Sequence, residues 1–184
     1  VNNTNLTSTG NENYGVYSAG NVTNNGTINF GTGLGNVGIY SISGGTAVNN
    51  APITIGDSDT GNSKFGIGMA AGYETSDTGN IVNNSVINVN GKSSIGMYAT
   101  GATSTIHNTS GGVINLSGNG SMGMYLDNGA KGINDGIIQT VGSPQGAVGV
   151  VVRKGSILTN NGTININSSG GYATFIVSGG TMGL

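Results

Sequence analysis

The sequence has no cysteine, no tryptophan, one histidine and two prolines, and only 7% of its residues are charged. Without cysteine there is no disulfide framework, and with His107 alone there is no His/Cys zinc cluster. A serine-hydrolase triad would need that same His107, and no Gly-x-Ser-x-Gly elbow accompanies it. His107 therefore reads as a turn residue. Five basic residues are scattered singly among seven acidic ones, for a net charge of −2. No basic stripe exists to neutralise phosphates, so nucleic acid is excluded as a partner. No apolar run approaches the ~18 residues of a membrane-spanning helix, so direct membrane insertion of this segment is not expected. The first residues, Val1-Asn2-Asn3, carry neither the charged nor the apolar region of a signal peptide.

Asn, Ser, Thr and 37 glycines stand where charge is missing. That is not the high-charge signature of a disordered chain. Nor does it suit helices, because these residues are poor helix formers and no stretch repeats at i, i+3, i+4, i+7.

Two phrases recur. The first is apolar, small, apolar, Tyr: Val37-Gly38-Ile39-Tyr40, Ile95-Gly96-Met97-Tyr98 and Met122-Gly123-Met124-Tyr125. With weaker copies its centres fall at 15, 38, 68, 96, 123, 149 and 174, spaced 23, 30, 28, 27, 26 and 25 residues apart. The second phrase, Asn-Asn-Gly-Thr-Ile-Asn-apolar, is clearest at Asn24–Phe30 and Asn160–Ile166 and keeps the same beat. Two phrases sharing one period indicate a single unit stacked many times.

Within each phrase apolar and polar residues alternate, as in Ile87-Asn88-Val89 and Ile164-Asn165-Ile166. Period two is the strand signature. It places Ile95, Met97 and Ala99 on an inner face and Gly96 and Tyr98 on the outer face. Met97 is expected between Met69 and Met124, and Phe175 ends the same inner row. A third short strand is expected between the phrases at Thr46–Val48, Ile81–Val82, Ser104–Ile106 and Ile157–Leu158. Three strands in about 25 residues make one coil of a parallel β-helix, with six to seven coils over 1–184. Asn24, Asn49, Asn83, Asn134 and Asn160 would stack at one corner, each amide bonding to the next. Asn-Gly at 25–26 and 161–162 is also a hairpin signal. An antiparallel array does not explain the same phrase returning in one orientation.

The Asn-Asn-Gly-Thr-Ile-Asn and Ile-Gly-Met-Tyr-Ala phrases, best seen at Asn160–Ile166 and Ile95–Thr100, resemble the passenger repeats of large autotransporter adhesins of Gram-negative oral anaerobes. The resemblance spans the whole chain. It implies a right-handed β-helical stalk, exported through an outer-membrane β-barrel outside this segment and displayed at the cell surface. It also implies partners on host cells, protein or glycan, or on other bacteria. Both ends read as lying within the repeat: Val1–Thr7 resembles the Asn phrase, and Ser178-Gly179-Gly180-Thr181 echoes Ser43-Gly44-Gly45-Thr46. The chain is thus expected to be one uncapped segment of a longer passenger.

Enzymes also use this fold, and a β-helical polysaccharide lyase, glycosidase or phage tailspike is the alternative. Glycosidases need paired carboxylates. The only local pairs, Asp57/Asp59 and Glu74/Asp77, lie in the two longest turns, Gly56–Lys64 and Ala71–Asn80. Asp57-Ser58-Asp59 hints at calcium but lacks the spacing and closing Glu of a calcium loop. Solvated turn residues explain both pairs, so no catalytic residue, metal or cofactor is expected. If the segment binds a partner, two places stand out. One is the pair of turns, with Asp57, Asp59, Lys64, Tyr73, Glu74 and Asp77. The other is the outward row Tyr17, Tyr40, Tyr98 and Tyr125, broken by Ala70 and continued by Val151 and Ile176.

Overall fold

The computed structural model describes residues 1–177 and 179–183. It is a parallel β-solenoid of about seven turns, roughly 26 residues each, with almost no helix. Three seven-stranded sheets run its length, and all pairings between named strands are parallel. The tyrosine sheet contains Tyr14–Ser18, Val37–Ser41, Ile67–Ala71, Ile95–Thr100, Met122–Asp127, Val148–Arg153 and Tyr172–Val177. The asparagine sheet includes Val22–Asn24, Thr46–Asn49, Asn80–Asn83, Thr105–Asn108, Lys131–Asn134 and Ile157–Asn160. The isoleucine sheet includes Ile28–Phe30, Ile53–Ile55, Val86–Val89, Val113–Leu116 and Ile137–Thr140. Each coil visits the three in that order.

The third strand forms in every coil, including Val22–Asn24 and Lys131–Asn134, where the alternation is too short to stand out. His107 lies on one of these strands, in register with Val82 and Ile133, and is not a turn residue. Ser178, part of the repeat echo at the C-terminal end, lies outside the described residues.

Each asparagine-sheet strand ends at the corner. There Asn24, Asn49, Asn83, Asn108 and Asn134 are fully buried. Each Nδ2 donates to the Oδ1 one coil on: Asn24 to Asn49 at 2.8 Å, Asn49 to Asn83 at 3.0 Å, Asn83 to Asn108 at 2.9 Å. The ladder runs on from Asn108 to Asn134 at 2.9 Å and from Asn134 to Asn160 at 2.7 Å. The second N–H of each amide turns back to its own corner, as from Asn24 to the Gly26 carbonyl at 2.8 Å. Asn108 was not anticipated, because its corner reads Asn-Thr-Ser-Gly-Gly and hides the phrase. Buried amides must be satisfied, and here the neighbouring coil does it.

The tyrosine sheet corrects the expected facing in two ways. First, alternation breaks at the glycine. A Cβ on Gly96 would lie 2.6 Å from the Gly123 carbonyl oxygen and 2.7 Å from a methyl of Ile114. Gly96 thus faces the core with Met97, and Ile95 turns outward beside Tyr98. Two successive inward residues re-aim a strand as a bulge does. Gly38, Gly68 and Gly123 meet the same neighbours. Second, the last coil is slipped by one residue from the expected alignment. Phe175 pairs with Val151, and Thr174 with Val150. Phe175 therefore ends the outer row, and Ile176 belongs to the inner one. A shift of one residue exchanges faces throughout a strand.

Met97 is fully buried between Met69 and Met124, its register partners. Burying such a side chain stabilises by about 1.5–3 kcal/mol. The core also trades volume between sheets. From one coil to the next Ala99 becomes Leu126 while Ile106 becomes Gly132. A Cβ on Gly132 would meet Leu126 at 2.7 Å, so the leucine fills the space the isoleucine vacates.

Candidate functional site: an aromatic groove beside two long turns

The outer face of the tyrosine sheet is set by the bulge. Because each glycine turns inward, residues three apart point out together. Tyr17 and Tyr40 meet edge to face at 5.4 Å between centroids, and Tyr98 and Tyr125 lie tilted at 5.9 Å. The row is interrupted only where Ala70 pairs with Tyr40 on one side and Tyr98 on the other.

Both long turns flank the strand that carries this gap, Ile67–Ala71. The first turn folds as a short 3-10 helix, Thr60–Asn62, whose N-cap Asp59 accepts from the Asn62 backbone N–H. Asp57 Oδ1 accepts from the Lys92 N–H at 2.7 Å, tying that turn to the next coil. In the second turn the Asp77 carboxylate accepts from the Ser43 and Tyr73 N–H groups, both at 2.9 Å. The Glu74 carboxylate accepts only from Ser76, two residues away. Asp57, Asp59 and Asp77 thus brace the turns.

Braced in this way, the turns bring two rings toward the gap. Phe65, directly after the first, and Tyr73 from the second join Tyr40, Tyr98 and Tyr125 around a depression of about 370 Å³. Ile67, Ile95 and Met122, the outward residues created by the bulge, form its floor, and Asp127 lies at its end. A second depression of about 240 Å³ shares Tyr40, Phe65, Ile67 and Tyr98 and reaches back to Tyr14 and Lys64. Together they make a groove crossing from Tyr14 to Tyr125 over five coils, four strand spacings or roughly 19 Å at ~4.8 Å each.

Of the ten expected partner-binding residues, Lys64, Tyr73, Tyr40, Tyr98 and Tyr125 line this groove. Tyr17, Glu74 and Asp77 line a separate depression of about 290 Å³ on the other side of Tyr73. Asp57 and Asp59 line neither. Sequence reasoning missed Phe65, Ile67, Ile95, Met122 and Asp127. Strict alternation had assigned Ile95 to the core, and the only signal against it was the invariably small residue that follows.

The electrostatics are those of a neutral aromatic surface with charge at its two ends, Lys64 paired with Glu12 at one and Asp127 at the other. Burial pushes the Tyr40 hydroxyl well above the ordinary tyrosine value, and neighbouring Tyr98 and Tyr17 add to this. It donates to the Gly72 carbonyl at 3.1 Å, fastening the second turn to the row. Burial raises Tyr98 as well. At the far end Arg153 donates to the Tyr125 hydroxyl at 2.7 Å and lies 3.4 Å from Asp127. Lys154 approaches the same carboxylate at 3.6 Å. On another face His107 meets Asp135 at 2.7 Å, and the Asp135 carboxyl is held below its ordinary value by Asn161 first and His107 second. Among the described residues no three His, Cys, Asp or Glu side chains gather as a metal site.

A family model described as the BigA third pectate lyase-like domain matches residues 30–137, more than half of the chain. The matched span includes both long turns, Tyr98, Tyr125 and Asp127. No curated protein and no solved structure matches the chain significantly.

Proposed function

Since the chain belongs to the family of the BigA third pectate lyase-like domain, we propose that it is a β-helical segment of a bacterial surface adhesin, and that it contacts its partner through the aromatic groove. BigA is an autotransporter-type adhesin. The partner is a host-cell receptor or glycan, or the surface of another bacterium, and an outer-membrane barrel elsewhere in the parent protein anchors the stalk. The segment performs no catalysis in this reading, since three of the four carboxylates in its two local pairs, Asp57, Asp59 and Asp77, are occupied in holding turns.

One observation carries the proposal. Both departures from the common coil length flank the single strand at which the tyrosine row is broken, and both deliver an aromatic ring to that gap. Stacking alone requires no such excursions, and loops on a rigid scaffold are where binding surfaces are built. Tyrosine suits the role because it offers large, rigid contact area with a polar tip.

The test is to shorten Gly56–Lys64 and Ala71–Asn80 to the common coil length in the parent adhesin and assay attachment to host cells and to other bacteria. Attachment should fall at least tenfold while the thermal transition of the segment is retained. Full attachment by the folded, shortened protein would remove the groove as the contact.

A further inference from the structure

The groove has a narrow shape and an uneven distribution of charge, and both bear on what it can hold. A standard protein–protein interface engages roughly 20–30 residues a side. The 370 Å³ depression is lined by nine, with Phe65 and Tyr73 at its sides. Its volume falls within the ~300–1,000 Å³ range of small-ligand sites. Its lining is aromatic and aliphatic except at one end, where Asp127 is the sole charged group. A folded protein surface would need far more area than this floor offers. A narrow chain of rings would not.

The charge decides which rings. The cations near the groove are held by carboxylates: Lys64 by Glu12 at 3.2 Å, Arg153 and Lys154 by Asp127 at 3.4 and 3.6 Å. No metal-binding carboxylate cluster stands among the described residues to bridge an anionic ligand. An acidic polysaccharide would find no cation among the residues lining the depression, only an aromatic and aliphatic wall and the Asp127 carboxylate. A neutral sugar has the complementary chemistry. Its C–H faces lie against the negatively polarised faces of aromatic rings. Its hydroxyls can donate to the acceptor positions of the Asp127 carboxylate that Asn128, Arg153 and Lys154 leave, and accept from the Tyr98 hydroxyl, which burial keeps protonated.

Resting on the reading that the groove is the contact, we infer that its ligand is a neutral oligosaccharide laid along the tyrosine row, with Tyr98 and Tyr125 as platforms and Asp127 as the hydroxyl acceptor.

The experiment titrates the protein with neutral hexasaccharides of glucose, mannose and N-acetylglucosamine, and with hexagalacturonate, by calorimetry. At least one neutral hexasaccharide should bind with sub-millimolar Kd. Hexagalacturonate should bind at least tenfold more weakly. Tyr98→Ala and Tyr125→Ala should each weaken the neutral ligand about tenfold or more while the melting temperature holds. Asp127→Asn, which keeps an acceptor, should weaken it less. Tighter binding of hexagalacturonate, or neutral-sugar binding unaffected by both tyrosine changes, would overturn the inference. So would the absence of any saccharide binding. If attachment nevertheless falls in the Tyr98→Ala adhesin, the groove remains the contact and only the sugar is wrong. If attachment is also unchanged, both readings fail.

Discussion

Two columns of one residue per coil run along this solenoid, and they have fared differently. The asparagine column is unbroken from Asn24 to Asn160. The tyrosine column keeps Tyr17, Tyr40, Tyr98 and Tyr125, loses its ring at Ala70 and ends in Val151 and Phe175. Both recur at the same period and both contact their own kind one coil away. The difference is solvent. A buried amide that loses its neighbour leaves a donor or acceptor unsatisfied, at a cost of about 1–3 kcal/mol. A half-exposed ring that loses its neighbour forfeits only about 0.2–1 kcal/mol. The first column permits no gap. The second tolerates one, and the gap is where the long turns deliver Phe65 and Tyr73.

The comparison can be broken hardest at the core on which both columns are mounted. Met97→Asp would place a charge without a partner between Met69 and Met124. We expect a loss of several kcal/mol, enough to abolish cooperative thermal unfolding. An unchanged melting curve would mean that the inner and outer faces are reversed.

The column itself is next. Asn108→Ala removes the acceptor of Asn83 and the donor to Asn134 together, and should cost about 1–3 kcal/mol in denaturant unfolding. Tyr98→Ala, measured the same way, should cost less. If it costs as much or more, the tyrosine row is a structural column like the asparagines.

The smallest effect is one of pH. The folded-state pKa of Tyr40 is raised above the ordinary tyrosine value of about 10. Its contribution is therefore complete below about pH 10 and is lost as pH rises from there through the folded value. The melting temperature should decline above about pH 10, and Tyr40→Phe should make that decline shallower. An identical alkaline decline in both proteins would show that the Tyr40 hydroxyl is not the group being titrated. Asn108→Ala should leave the alkaline profile unchanged, which separates the two columns by chemistry as well as by magnitude.

Much of the fold is legible without coordinates. The shared period, the Ile-Asn-Ile alternation and the stacked corner asparagines each follow from a rule that acts within a few residues and is then repeated. The Gly-Met pair was misread because alternation is a rule about straight strands, and the glycine column bends them. That bend exists because the Gly123 carbonyl and the Ile114 methyl stand where a Cβ of Gly96 would go. Both belong to other strands, 27 and 18 positions away. The slip at Phe175 arose similarly, since Ala-Thr-Phe-Ile fits the phrase in two registers and only pairing with Val148–Arg153 selects one. Of the candidate site, the tyrosines and the two turns stood out in the sequence. Phe65 and Asp127 did not, because neither belongs to a phrase.

The sequence by itself determined that the chain coils, at what period, and which asparagines stand at the corner except Asn108, because those properties come from one unit contacting its own copy. Only the tertiary structure decided that Ile95 and Met122 face outward, that Asp57, Asp59 and Asp77 brace turns, and that Phe65, Tyr73 and Asp127 share a groove with Tyr98 and Tyr125. These depend on contacts between unlike parts of the chain, for which no repeat carries a copy to read.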